Sequence, residues 1–539
     1  MTAAGRESLR RRILECARRE PVTFALFVVA SVAVILPVWI GRYLPLLDYP
    51  NHLSMVFVWR HLHDPQWNFA PFYDVHFPPL PYWAQYAMVY GFSLLVGVEA
   101  AQKVFLSLFL LLLPLSVALY ARRVGRDPRL ALLAFPLAWN FNVAYGFLAF
   151  VAGVPVLFLA LAALDRYGER PTFRWAAIAS LLGVSLYLFH VLPWALFLLA
   201  GGVTALLAPR PWSLGRALLA PLPTLPALGL GLLAYRASRG AAVPVNPWTP
   251  QGLSAFQGVH QDLATNLGGF SAWLLDFFPG GSDEAAAAAL GFVWLLVVAS
   301  RPLAPAGAAP PRNELADRDP RSWRPEVGAA ITLALFFLLP WSLLQPFYWY
   351  AVNCRLAVVV AALLLLAARG PIAGPRRALL VLGGVVGIAY LADVSAHFRR
   401  FNQRARGFDE VMAAVPAGRP VLPVLLKLGD PEVNVNCYNQ WGSYVQMRQG
   451  GYNLFNFTVD FPVKTLRRLP TPPWNRPDLF NFAAHGGPWD YFLVHGPSPI
   501  DPFAGVHDRV KLLRRSGEWE VWEKLAPGAA APKPNGGER

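Results

Sequence analysis

The sequence predicts an all-α polytopic membrane domain of about eleven spanning helices, with interfacial helices in its first outer loop, followed by an extracytoplasmic α/β domain. Three observations predict it. Of 539 residues, 55% are hydrophobic and only 15% are charged, with a mean hydropathy of +0.39, which is too apolar for a soluble chain of this length. Apolar runs long enough to cross a hydrocarbon layer recur between residues 22 and 394. Beyond residue 395 the chain becomes less apolar, and proline-rich joints such as Pro470-Thr471-Pro472-Pro473 separate strand-like runs such as Tyr491-Phe492-Leu493-Val494 and Trp519-Glu520-Val521-Trp522.

Residues 1–21 carry Arg6, Arg10, Arg11, Arg12, Arg18 and Arg19 and read as a basic cytoplasmic N-terminus. The apolar run from 22 to 40 has the layout of a secretory signal but reads as an uncleaved anchor, because no small-residue cleavage site follows Trp39. Further apolar segments lie near 102–121, 130–145, 146–164, 175–190, 191–208, 216–235, 286–300, 327–345, 354–368 and 377–394. With the N-terminus inside, every inner loop is basic: Arg122, Arg123, Arg126 and Arg129; Arg166, Arg170 and Arg174; Arg210 and Arg216; Arg301 to Arg324; Arg369, Arg376 and Arg377. Counting residues 81–98 as a span would invert that pattern. They are placed instead as a helix at the outer interface, the depth that Tyr82, Trp83, Tyr86 and Tyr90 prefer.

The outer parts are then residues 41–101, 236–285, a turn near Gln345 to Asn353, and the domain at 395–526, with a disordered tail at 527–539. All ten histidines fall on that side or at its membrane edge. The formal charge of +15 rests mostly on arginines at helix ends, which argues for a membrane and against nucleic acid. Cys16, Cys354 and Cys437 lie far apart with no C-x-x-C pair, so neither a cysteine zinc site nor a disulfide framework is supported.

The candidate chemistry lies on the outer side. Asp48 and His52, four apart directly after the first span, share a helix face, and a carboxylate there suits a general base at the bilayer surface; helix capping is the competing role for Asp48. Asp74 and His76 precede a rigid turn, Phe77-Pro78-Pro79-Leu80-Pro81-Tyr82-Trp83, and suit either a divalent metal or a hydroxyl, or remain solvated. His190 stands at the outer end of one span and Arg355 at the outer start of another. An ionisable group at that depth marks a polar cavity unless it snorkels, and a guanidinium beside Tyr348, Trp349 and Tyr350 suits a lipid phosphate. His260, in Val259-His260-Gln261-Asp262, is a weaker candidate. No P-loop, H-E-x-x-H or G-x-S-x-G pattern occurs, which argues against those ATPase, zincin and hydrolase classes.

In this order the features resemble the GT-C glycosyltransferases, polytopic enzymes that move sugars from polyprenyl-phosphate carriers at the outer membrane face, and in particular the protein mannosyltransferase and aminoarabinose transferase branch with its bacterial relatives. The family's D-E-x-x-Y-A-like stretch is matched by Asp48-Tyr49-Pro50-Asn51-His52-Leu53, and its K-P-P-L-x-Y-W turn by residues 77–83. The sequence departs from the pattern at Tyr49 for a glutamate, His76 for an acidic residue and Phe77 for a lysine.

The resemblance implies a catalytic Asp48, with Arg355 and His190 near the carrier phosphate and His260 matching a middle-loop histidine. His52 and Asp74 join the substrate-binding set, and His76 and His260 are the candidate metal ligands. It further implies a bacterial cytoplasmic (inner) membrane location, a polyprenyl-phosphate sugar lipid as donor, and a lipid, glycan or protein acceptor. No nucleotide cofactor is expected, and a divalent metal ion is the one cofactor left open. The rival readings are a transporter or flippase for a lipid-linked saccharide, and a catalytically silent cell-envelope assembly protein.

Overall fold

The computed structural model describes residue 15 and residues 17–77, 81–208, 213–238, 257–300, 319–345, 349–454 and 462–526. Arg6 to Arg12, Cys16, Pro78 to Leu80, Arg210, Trp248, residues 301–318, Tyr348 and the tail at 527–539 lie outside the described residues. The helices used below are α1 (Pro21–Trp39), α2 (Tyr49–His61), α3 (Ala84–Val96), α4 (Val98–Arg123), α5 (Leu148–Glu169), α6 (Phe173–Phe189), α7 (Val191–Leu206), α8 (Ser282–Ala299), α9 (Arg324–Leu338), α10 (Ala357–Leu365), α11 (Pro375–Met412) and α12 (Gly442–Gln449). The strands are β1 (Tyr73–Val75), β2 (Gln257–Val259), β3 (Ser342–Gln345), β4 (Val421–Leu425), β5 (Val463–Thr465), β6 (Tyr491–His495), β7 (Val510–Ser516) and β8 (Trp519–Lys524).

The chain divides into two compact units. The first takes residues 1–40, 79–85 and 103–396, and the second takes 41–78, 86–102 and 397–539.

The first unit is helical. Among the described residues of the whole chain, six helices are long and apolar enough to cross a membrane: α1, α4, α5, the stretch Leu214–Arg236, α8 and α11. Shorter apolar helices at Ala84–Val96, Phe173–Phe189, Val191–Leu206 and Cys354–Leu365 add to them. This is a polytopic membrane protein. The segment read from the sequence as a span at 130–145 folds differently, as 3-10 turns at Pro128–Ala134 and Pro136–Ala138 and a one-turn helix at Phe141–Ala144. Two causes are local. Pro128 and Pro136 have no N–H to give a helix, and the Asp127 and Asn140 side chains take the backbone N–H groups of Arg129 and Asn142. The segment is nevertheless buried. Trp139, fully enclosed, donates from Nε1 to the Val34 carbonyl at 2.7 Å, and the Tyr390 hydroxyl donates to the Trp139 carbonyl at 2.7 Å, tying α1 and α11 to it.

The 327–345 segment is also shorter than its apolar run. α9 ends at Leu338, before Pro340, and the remainder forms β3, paired antiparallel with β2. Helices α5, α6 and α7 pack on one another, and small residues set their spacing. A Cβ at Gly183 of α6 would stand 2.4 Å from the Phe197 ring of α7, so only glycine permits this approach.

The second unit holds the sheet β4-β6-β8-β7, in which β4 and β6 are parallel and the other pairs antiparallel. Alternation of Leu422, Val424, Phe492 and Val494 sends one face into a core with Trp489 and Phe503. A separate aromatic group joins the end of α11 to α12 and β8: Phe408, Trp441, Tyr444 and Trp519, with the Trp441 and Trp519 rings stacked at 5.1 Å. Tyr43 enters the same group, and α2 packs along α12. Strand β1 pairs antiparallel with β5, with Asp74 opposite Lys464. The stretch after the first span therefore folds as part of the C-terminal unit.

Candidate functional site

In the first unit, His190 is the single residue between α6 and α7. Its backbone is extended (φ −165°, ψ 135°), its N–H donates to the Leu186 carbonyl at 2.8 Å, and its Nδ1 accepts from the Leu192 N–H at 3.1 Å. The imidazole thus caps one helix while standing at the end of another. Gly153 on α5 permits the approach, since a Cβ there would lie 2.9 Å from Pro193 Cγ.

Arg355, 165 residues further on, begins the turn that leads into α10 and is buried, with 7% exposure. Its Nε donates to the Ala351 carbonyl at 2.8 Å and one Nη to the Tyr350 carbonyl at 3.0 Å, while the other Nη lies 3.0 Å from His190 Nε2. The guanidinium carbon sits 3.6 Å from the centre of the Phe147 ring. The rings of Tyr82, Phe150 and Trp349 surround His190 at 4.9, 5.2 and 5.4 Å.

Two residues at this site hold backbone angles that side chains disfavour, Tyr82 at φ +79° and Ala351 at φ +54°. Such strain concentrates at ligand sites because the surrounding structure must enforce it. The hydrogen-bond inventory points the same way. A neutral imidazole has one N–H, and with Nδ1 accepting from Leu192 that hydrogen belongs on Nε2, facing a guanidinium N–H. With that tautomer both groups present a donor, and an anionic oxygen placed against both would accept two charge-assisted hydrogen bonds.

The second unit holds Asp48, His52, Asp74 and His76. Asp48 is the N-cap residue of α2; its carbonyl accepts from the N–H groups of Asn51 and His52 at 3.1 and 3.2 Å, but its half-buried carboxylate makes no capping bond. His52 lies one turn on, with Nδ1 2.7 Å from the Tyr86 hydroxyl. Asp74 is exposed on β1 and accepts from the Val75 N–H at 2.8 Å. His76 follows β1, donates its N–H to the Pro462 carbonyl at 3.0 Å, and has a buried Nδ1 with no hydrogen-bond partner. His260 belongs to the first unit and is exposed between β2 and Asp262, which caps the helix Leu263–Leu275 through the Thr265 N–H at 2.8 Å.

For a metal ion, the described residues offer one group of candidate ligands, Asp276, Asp283 and Glu284, with one atom from each within 4.8 Å of the others. Neither His76 nor His260 belongs to it. Asp283 already accepts the backbone N–H groups of Phe277 and Phe278, the latter at 2.7 Å, so its carboxylate serves the helix start. This set fits an ion poorly. Cys354 and Cys437 are buried free thiols.

The Phe147 ring on the guanidinium and the Phe150 and Tyr82 rings around His190 are what the sequence did not single out for these roles. Phenylalanine inside an apolar run carries no signal that separates a ring against a guanidinium from a ring in a core.

The fold is similar to that of two crystal structures of one protein. ArnT from Cupriavidus metallidurans in its crystal structure bound to undecaprenyl phosphate superposes with a TM-score of 0.55 at 14% identity, over 94% of this chain and 99% of that one. The apo form of the same protein gives a TM-score of 0.53 at 13% identity over the same shares. The Archaeoglobus fulgidus oligosaccharyltransferase is more distant, with a TM-score of 0.44 at 12% identity, over 89% of this chain and 70% of that one. No protein-family model matches the sequence, and neither does any curated protein.

Proposed function

We propose that this protein is a membrane glycosyltransferase that moves a sugar from a polyprenyl-phosphate-linked donor to an acceptor at the outer face of a bacterial inner membrane. The observation that carries the reading is the buried Arg355, held beside His190 at helix ends, in a chain whose fold matches end to end a protein crystallised with undecaprenyl phosphate. A phosphate oxygen suits this donor-rich site, where the Arg355 guanidinium meets the His190 imidazole.

The reaction is an inverting displacement. Asp48 takes the proton of an acceptor hydroxyl, the oxygen attacks the anomeric carbon, and the bond from that carbon to the phosphate oxygen breaks, its electron pair leaving on the lipid phosphate. Arg355 and His190 steady the charge that develops there. His52 and Asp74 hold substrate hydroxyls. His76 and His260 shape the sugar site, and no step is assigned to a metal ion. In this reading the N-terminus faces the cytoplasm and the second unit faces outside, a placement that the basic loops support.

Purified protein incubated with a polyprenyl-phosphate sugar and envelope acceptors tests the assignment. Asp48→Asn is expected to lower transfer at least a hundredfold while leaving the melting temperature unchanged. Full transfer by that variant would remove Asp48 from the reaction.

A further inference from the structure

The second unit contains a cleft that none of these roles uses. It lies between β4 and the loop that leads into α12, and it measures about 350 Å³ out to its open mouth, within the range of small-ligand sites. Its floor has room for about one or two water molecules. Three carboxamides line it, Asn439, Gln440 and Asn453, and the half-buried indole of Trp474 forms one wall; among the described residues no charged side chain lines it.

The cleft is built with care for its polar groups. Asn453 is fixed by its N–H to the Tyr73 hydroxyl at 2.8 Å and its Nδ2 to the Ser443 hydroxyl at 3.2 Å. Gly442 is required beside it, because a Cβ there would come within 2.7 Å of Asn453 Oδ1. Gln440 Oε1 accepts from Asn51 Nδ2 at 3.4 Å, and Asn51 lies three residues after Asp48 at the start of α2. Asn439 Oδ1 is buried, lines the cleft and has no hydrogen-bond partner.

A buried acceptor without a donor is costly, and one that lines a cleft can be satisfied by a ligand or water that supplies the donor. Carboxamides that offer donor and acceptor side by side, with an aromatic face and no charge, match the alternating hydroxyls and apolar C–H face of a sugar. We propose that the cleft seats one edge of a neutral sugar ring, with hydroxyls on Asn439, Gln440 and Asn453 and the ring face on Trp474. The floor admits a hydroxyl or hydroxymethyl group and the rest of the ring stays at the mouth. The proposal rests on the transfer reaction above, and the ring belongs either to the acceptor glycan or to the donor sugar.

Full-length protein in lipid nanodiscs, free of glycoside detergent, is titrated with methyl glucoside, methyl galactoside and methyl mannoside and followed by saturation-transfer NMR. At least one glycoside is expected to saturate, with a signal at least fivefold weaker in Asn439→Leu and Trp474→Leu and unchanged in Lys511→Gln, an exposed position on β7. No saturation by any of the three, or equal signals in both cleft variants, overturns the subsite. Should Asn439→Leu lose its thermal transition, Trp474→Leu at the mouth decides alone. Saturation in a protein that transfers no sugar sinks the reaction and leaves the subsite standing, whereas transfer without saturation sinks only the subsite. In the transfer assay the Trp474→Leu variant raises KM for the substrate whose ring is seated, acceptor or donor, and two unchanged KM values overturn the proposal.

Discussion

At the scale of single residues, Arg355 carries the most weight. Its guanidinium is oriented by two backbone carbonyls and a ring face, so charge alone does not reproduce it. Arg355→Lys keeps the charge and loses the fork, and steady-state kinetics are expected to show kcat/KM for the lipid donor falling about ten- to hundredfold, the range of one or two charge-assisted hydrogen bonds. An unchanged value would place the phosphate elsewhere. His495 on β6 supplies a pH test outside the membrane. Burial pushes its imidazole down to about 4 from the ordinary 6.5, with Nδ1 2.7 Å from the Lys427 carbonyl and Trp519 against the ring. The unfolded chain therefore takes the proton first as pH falls. Stability from the neutral ring is complete above pH 6.5 and is lost progressively toward pH 4, to a total of about 3 kcal/mol. Hydrogen exchange of the Tyr491–His495 strand should accelerate over that window, and His495→Gln should flatten the dependence. What the sequence made legible here was depth: His190 and Arg355 are marked by where they fall along apolar runs. Their pairing across 165 residues was not, because no local pattern records it.

Elements were legible wherever hydrophobic length decided the outcome and less so where proline did. The runs behind α1, α4, α5, α8 and α11 read directly as long helices. The run at 130–145 has the same apolar content, yet Pro128 and Pro136 and the caps at Asp127 and Asn140 break it into turns, a result that composition over a window averages away. The sheet was recognisable as strands, but its order, with β4 parallel to β6 and β8 between β6 and β7, depends on crossovers that sequence spacing leaves open. Helix packing gives the prediction at this scale. Gly183→Val drives a side chain into the Phe197 ring and is expected to cost about 1–3 kcal/mol, seen as a lower unfolding temperature. Phe197→Ala in the same protein should recover part of that loss.

For the whole molecule, the order of features along the sequence pointed to the fold that the ArnT structure shares, although at 14% identity few individual residues coincide with it. Sidedness is the property that unites the proposed roles, and the arginine loops are the support for proposing it. Arg514→Cys on β7, made in a Cys16→Ser background, reports it, since Arg514 is exposed and the thiols of Cys354 and Cys437 are buried. An impermeant maleimide is expected to label that position in right-side-out vesicles without permeabilisation. The central claim is that this protein makes a glycosidic bond, and mass spectrometry of proteoliposomes tests it most directly. Wild-type protein with a polyprenyl-phosphate sugar and an envelope acceptor extract should yield sugar-bearing acceptor and free polyprenyl phosphate in equal amounts; donor that crosses the bilayer intact, with neither product formed, would contradict the account.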